Sequence, residues 1–426
     1  MSFVLVLALS ITVATSVNSA SYGDDWPMFR RDPAHTGYTT TKALTTTPVA
    51  NWTKPGGYQG VSSSPAVVDG VVYITAQSLY ALNASTGEEI WSVDGAGWGA
   101  NPIVNGDFVY CGGIAYDAST GAELWSPNPS GFGVPQAFAD GYLYAYAYNV
   151  SSFEEGSGVV ALLCLDGTTG AEIWCIPVVF ISTDPAIANG VLYIAGSKGT
   201  FYALDVNTGK QIWTYPIKAS PSSSGSSPAI YGGIVYIGSF WDGNVYALNA
   251  TDEHKIWNFT TGSFVESSPA VANGIVYIGS DDGNFYALNA TSGAKIWTYT
   301  TSGGMSAPAV ANDVVYVGGF NGNLYALNAS SGGKLWNYTV QQPPGFEEYS
   351  GLHTSSAVAY GRVYIGSNDY IMVVLAEAST NPTPAPSSSP SQPQQTEQFE
   401  VIVGLAVVAV AISAGLGLLV YIIKKK

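Results

Sequence analysis

From residue 49 to residue 375, short apolar runs alternate with turns rich in Gly, Asn and Asp, and the period-2 pattern within the runs predicts strands. One stretch shows the arrangement in full. Ser268–Ala272 predicts a first strand, Asn273-Gly274 a turn, and Ile275–Ser280 a second strand. After a turn at Asp281–Asn284, Phe285–Asn289 predicts a third strand, Ala290–Gly293 a third turn, and Ala294–Tyr299 a fourth strand carrying Trp297. Asn-Gly supplies the positive φ angles that a two-residue hairpin needs. Four antiparallel strands joined by hairpins make one blade of a β-propeller.

The fourth strand recurs along the chain. Trp91, Trp125, Trp174, Trp213, Trp257, Trp297 and Trp336 each end a segment of the form ALNATSGAKIW. Their spacing of roughly 40 residues is the period of propeller repeats. An eighth unit opens at Thr354 and reaches no tryptophan, whereas Trp52, in the strand-like Val49–Thr53, stands one period upstream of Trp91. The N-terminal strand is therefore predicted to complete the last blade, which removes the open sheet edges of a linear array. The predicted fold class is all-β: an eight-bladed β-propeller of four-stranded antiparallel blades, plus one C-terminal transmembrane helix.

Both ends of the chain carry apolar segments. Phe3 to Val17 is uncharged and runs into Ser19 and Ala20, which suits a signal peptide cleaved near Ala20. Val401 to Ile423 is uncharged, about 35 Å long as a helix, and is followed by Lys424, Lys425 and Lys426. Lysines at that edge predict a cytoplasmic C-terminus and an extracellular propeller at the cell membrane. Pro382, Pro384, Pro386, Pro390 and Pro393 among Ser, Thr and Gln give an extended stalk. The expected organisation is signal peptide 1–20, leader segment 21–48, propeller 49–375, stalk 376–400, membrane helix 401–423 and basic tail 424–426. Net charge is −16, so a nucleic-acid partner is excluded for want of clustered cations.

The turn-plus-Trp repeat, together with DWPMFRRDPAHTG at Asp25 to Gly37, resembles the pyrroloquinoline-quinone (PQQ) repeat. That propeller family includes quinoprotein dehydrogenases and the outer-membrane assembly lipoprotein. The resemblance covers about Asp25 to Leu375 and implies that Trp52, Trp91, Trp125, Trp174, Trp213, Trp257, Trp297 and Trp336 dock between neighbouring blades as structural residues. The family's dehydrogenases hold PQQ with calcium, carboxylate and amide ligands, a catalytic Asp and usually a disulfide between adjacent cysteines. No two of Cys111, Cys164 and Cys175 are adjacent, so no cofactor and no catalytic or metal residue is assigned, and the non-enzymatic branch is the better match.

Cys164 and Cys175 flank one hairpin and form a candidate disulfide, while Cys111 is expected as a buried thiol. His35, His254 and His353 fall in unrelated places and predict no metal centre; His35 reads as a capping side chain. Asp281-Asp282-Gly283-Asn284 and Asp242-Gly243-Asn244 read as turns rather than calcium loops. Candidate N-glycosylation sites are Asn51, Asn83, Asn149, Asn249, Asn258, Asn289, Asn328 and Asn337.

In an antiparallel blade the first and third turns lie on one face of the ring, and the second turn and the connection to the next blade lie on the other. Departures from the repeat collect on this second face. There too fall Trp98, Glu154, Glu155, Trp241, Asp242, Phe264, Glu266, Phe346, Glu347, Glu348 and Tyr349. Loops free to vary on a rigid scaffold carry recognition, so a surface protein or glycan is the expected partner, beside the membrane. The expected function is binding or scaffolding at the cell surface, with a PQQ-dependent dehydrogenase and an envelope assembly factor as alternatives.

Overall fold

The computed structural model describes residues 22–378 apart from 56–62, 97–99, 127–131, 149–159, 179–182, 197–198, 218–224, 302, 341–350, 353 and 368–370. The expected signal peptide, stalk and membrane helix thus lie outside the described residues. Among those described, no helix is long and apolar enough to cross a membrane.

The strands form eight separate sheets. Blade 6 consists of Ala270–Ala272, Ile275–Gly279, Asn284–Asn289 and Lys295–Thr300, paired in sequence order as the pattern predicts. Blades 1 to 5 span 66–94, 103–125, 132–178, 186–216 and 229–260, and blade 7 spans 309–339. Blade 8 takes Ala357–Ala359, Arg362–Gly366 and Ile371–Ala376, and its fourth strand is Val49–Pro55 from the other end of the chain. First strands of successive blades touch all the way round, from blade 1 to blade 8 and back to blade 1, so they line the axis.

The repeated tryptophan joins each blade to the next. Trp257 Nε1 donates to the Ala290 carbonyl at 2.9 Å, Trp297 to Ala329 at 2.9 Å and Trp213 to Ala250 at 3.2 Å, each acceptor lying in the third turn of the following blade. A second-strand tyrosine often shares the same oxygen: Tyr236 donates to Ala290 at 3.1 Å and Tyr277 to Ala329 at 3.1 Å. A carbonyl has two lone pairs, so both bonds are satisfied. The indoles of Trp52, Trp91, Trp125, Trp174, Trp257 and Trp297 each lie on a turn glycine, whereas the turn facing Trp213 has Glu253 at the positive-φ position. A Cβ at Gly293 would stand 2.6 Å from Trp257, and Gly293 also has a φ of 71°. Around the ring, Trp52, Trp91, Trp125 and Trp174 bond Ala84, Ala118, Gly167 and Val206 in the same way. Blade 8 has no covalent third turn, and there Trp336 bonds the Leu44 carbonyl at 2.8 Å.

Leu44 ends a leader that runs over the first-turn face and binds the inner strands in chain order. Carbonyls of Trp26, Pro27, Pro33, Ala34, Thr36 and Gly37 accept from the backbone N–H of Val67, Val104, Ile187, Ile230, Val271 and Val310 in turn. These acceptors serve blades 1, 2, 4, 5, 6 and 7, and Tyr38–Thr39 then pairs in parallel with blade 7. Arg30 and His35 reach further in. The Arg30 guanidinium donates to the carbonyls of Pro269 and Pro308, and His35 Nδ1 lies 3.2 Å from that of Pro228. His35 is therefore a buried link to blade 5 and not a cap, its ring edge-on to Phe29.

The candidate disulfide is corrected. A bulge shifts the register so that Cys164 pairs with Trp174, and Cys175 pairs with Leu163. Residues one step out of register point to opposite faces of a sheet. Cys164 enters the core between blades 3 and 4, Cys175 packs toward blade 2, and all three cysteines are free thiols. Burial pushes the Cys111 thiol up to about 12.

Two outcomes follow from this packing. Trp213→Ala is expected to cost about 3–5 kcal/mol in denaturant unfolding, against about 1 kcal/mol or less for Ile212→Ala, whose side chain is half exposed. Burial, with the Arg30 charge, lowers the His35 imidazole to about 3, while the unfolded chain titrates near 6.5. Neutral His35 thus supports the fold above about pH 6.5, and that support is lost as pH falls toward 3. The stability gap between the wild type and His35→Asn, followed by urea unfolding, should shrink over that range.

Candidate functional site

Just before the inner strands of blades 1, 4, 5 and 6 stands a short polar segment, Ser63-Ser64-Pro65, Thr183-Asp184-Pro185, Ser226-Ser227-Pro228 and Ser267-Ser268-Pro269. Its first residue staples the blade internally, as when the Gly238 N–H donates to Ser226 Oγ at 3.0 Å and that of Thr75 to Ser63 Oγ at 2.9 Å. Its second residue reaches the neighbouring blade. Ser355 N–H donates to Ser64 Oγ at 3.1 Å, Ser64 N–H to Asn101 Oδ1 at 2.8 Å, Asp184 N–H to Ser227 Oγ at 3.0 Å, and Ser227 N–H to Ser268 Oγ at 2.9 Å. Asn101 Nδ2 lies 3.5 Å from Asp184 Oδ2, crossing from blade 2 to blade 4. A polar ring thus lines the channel on the second-face side, with the leader on the opposite side. Among the described residues the leader makes no backbone hydrogen bond to blade 3, and there a cavity of about 660 Å³ opens beside Tyr22, Asp32, Phe138 and Asp140.

Asp184 is the one carboxylate of this ring among the described residues, and burial pushes it up to about 7. A quinone held in the channel through calcium needs several oxygen ligands around the ion. Asp184 and Asn101 supply one carboxylate and one amide, and no group of three His, Cys, Asp or Glu converges among the described residues. The buried Arg30 guanidinium is held by the carbonyls of Pro269 and Pro308. The free cysteines pack inside the blades. The described residues do not fit a PQQ–calcium centre.

On the second face, Phe240 and Trp241 in the second turn of blade 5 meet Phe264 in the connection to blade 6. Phe240 and Phe264 stack with centroids 4.4 Å apart, and Trp241 stands edge-on to both. Trp241 is 51% exposed and Phe264 39%. Asp281, whose N–H donates to the Phe264 carbonyl at 2.9 Å, borders this cluster. Burial and the nearby Asp281 charge raise Glu266 above the ordinary carboxylate range. Asp242 is not free for recognition: it accepts from Tyr246 Oη at 2.7 Å and from the Asn244 N–H at 3.2 Å, fastening its own turn. Asp282 accepts from Tyr286 at 2.6 Å in the same way. Trp98, Glu154, Glu155, Phe346, Glu347, Glu348 and Tyr349 lie outside the described residues.

The sequons divide by place. Asn83, Asn249, Asn289 and Asn328 open third turns, where each Oδ1 accepts backbone N–H groups two or three residues on, the role that Asp117, Asp166 and Asp205 fill in blades 2 to 4. Asn51, Asn258 and Asn337 are exposed on outer strands, and Asn149 lies outside the described residues.

Asp184 generates a pH-dependent outcome. Its folded pKa lies above the unfolded value of about 3.8, so its ionisation destabilises the fold increasingly as pH rises toward 7. Asp184→Asn is expected to raise stability more at about pH 8 than at about pH 5, read as urea midpoints at each pH.

Known proteins were compared against this geometry. A family profile described as outer membrane protein assembly factor BamB matches residues 35–126, 112–240 and 241–410. Tetrathionate hydrolase of Acidithiobacillus ferrooxidans is 29% identical over 213 residues, covering 48% of this chain and 38% of that enzyme. The chain therefore spans well under half the length of that relative. Quinohemoprotein alcohol dehydrogenase from Comamonas testosteroni superposes with a TM-score of 0.64 at 15% identity, over 85% of this chain and 83% of that one. BamB from Moraxella catarrhalis superposes with a TM-score of 0.59 at 19% identity, over 78% of this chain and 100% of that one. At such identities the likeness is one of fold, and the two superposed proteins carry different roles. Profile match, tryptophan repeat and closed ring agree that the chain belongs to the PQQ-repeat β-propeller family whose profile is described as outer membrane protein assembly factor BamB.

Proposed function

We propose that this chain is a binding or scaffolding module, anchored in the cell membrane by residues 401–423, with its propeller outside the cell and its second face turned to a surface protein or glycan. The observation that carries the reading is the exposed stack of Phe240, Trp241 and Phe264 beside Glu266 and Asp281. Rigid aromatics give large contact area at low entropy cost and suit sugar rings and apolar side chains, while the carboxylates favour a partner bearing cations. The leader lies across the first-turn face, which leaves the second face as the approach to the polar ring. The likeness to an assembly factor supports the scaffold reading, and no cofactor is assigned.

Screening the full-length chain against cell-surface glycans and surface proteins tests the proposal. Trp241→Ala with Phe264→Ala should weaken capture about tenfold or more while leaving the melting temperature unchanged. Unchanged capture would remove the second face from the reading. Retention of PQQ with added calcium through gel filtration, with turnover of an alcohol, would replace the module by an oxidoreductase.

A further inference from the structure

The outer wall of the ring carries a pattern that the second face does not explain. Immediately before each repeat tryptophan a bulge in the outermost strand displaces one residue from the ladder. In blades 1 to 7 that residue is aliphatic and exposed, from Ile90 at 50% to Ile256 at 39%. Blade 8 has Asn51 there. Bulges blunt a strand edge against backbone pairing, so contact at this wall is made by side chains.

Charge is sorted around the same wall. The residue preceding the bulged aliphatic is Glu89, Glu123 and Glu172 in blades 1, 2 and 3, Gln211 in blade 4, and Lys255, Lys295 and Lys334 in blades 5, 6 and 7. All of these are exposed. Glu88 adds to the acidic side, where Lys54 of blade 8 pairs with Glu89 at 2.8 Å. Asp252 and Glu253 lie in the turn beside Lys255 on the basic side. In a ring of eight, blade 1 stands opposite blade 5, blade 2 opposite blade 6 and blade 3 opposite blade 7. The acidic and basic sectors therefore sit across the ring from each other, and each carries the same exposed aliphatics.

We propose that copies of this chain associate edge to edge, the glutamate edge of blades 1–3 of one copy meeting the lysine edge of blades 5–7 of the next, with the bulged Ile and Leu side chains between them. The two edges belong to one molecule and face opposite ways, so the contact is heterologous: it leaves a free acidic edge at one end and a free basic edge at the other, and it propagates as a row. The proposal stands independently of the ligand of the second face.

Sedimentation velocity of the full-length chain in detergent is the test. Association is expected at about 0.02 M salt and should weaken about tenfold or more by about 0.3 M, where exposed charges are screened. Lys255→Glu with Lys295→Glu and Lys334→Glu should give a monomer, as should Glu89→Lys with Glu123→Lys and Glu172→Lys. Mixing the two triple variants should restore association as a row of alternating variants, which rules out misfolding as the cause of either loss. A monomer at every salt concentration overturns the proposal. So does association that survives both charge reversals, which would assign contact to another part of the chain.

Discussion

One carbonyl oxygen per blade holds the ring together. In blades 6 and 7 the third-turn carbonyl accepts from the tryptophan and the tyrosine of the blade before it, and the turn glycine beneath the indole leaves no room for a Cβ. The bond, the stacking and the turn conformation depend on one another, so the turn-plus-Trp signature is a joint between blades more than a strand marker. It also explains why Leu44 matters. Where blade 8 has no third turn, the leader supplies the carbonyl that Trp336 requires.

The blade count, the strand order and the closing role of Val49–Pro55 were legible because they rest on period-2 alternation, hairpin turns and a recurring tryptophan. What escaped has no period. The leader uses backbone carbonyls, for which side-chain patterning holds no signal, and the serines of the repeated Ser-Ser-Pro have distinct partners, one within the blade and one in its neighbour, that no alternation marks. The disulfide error came from counting residues across a hairpin that contains a bulge.

The separate surfaces have separate demands. First turns stay uniform because the leader needs equivalent N–H groups from blade to blade, whereas the second face is free to vary. The outer wall sets two readings against each other, since Asn258 and Asn337 lie on the lysine edge, where Lys255 Nζ and Lys334 Nζ approach their Oδ1 atoms. A glycan at either asparagine would hold a neighbouring propeller away, so sugar attachment at those two positions and edge contact exclude each other.

The path of the leader also orders events during synthesis. Thr36 and Gly37 find their N–H partners only at Val271 and Val310, and the strand from Val49 finds its own at Ile371–Ala376. The stretch from Thr36 to Pro55 therefore leaves the ribosome long before its partners, and until blades 6 to 8 emerge its backbone groups and the strand edges of blade 8 stay open to solvent and to other chains. A chaperone that shields residues 36–55 during this interval would act on the step at which the ring is most exposed to misassembly.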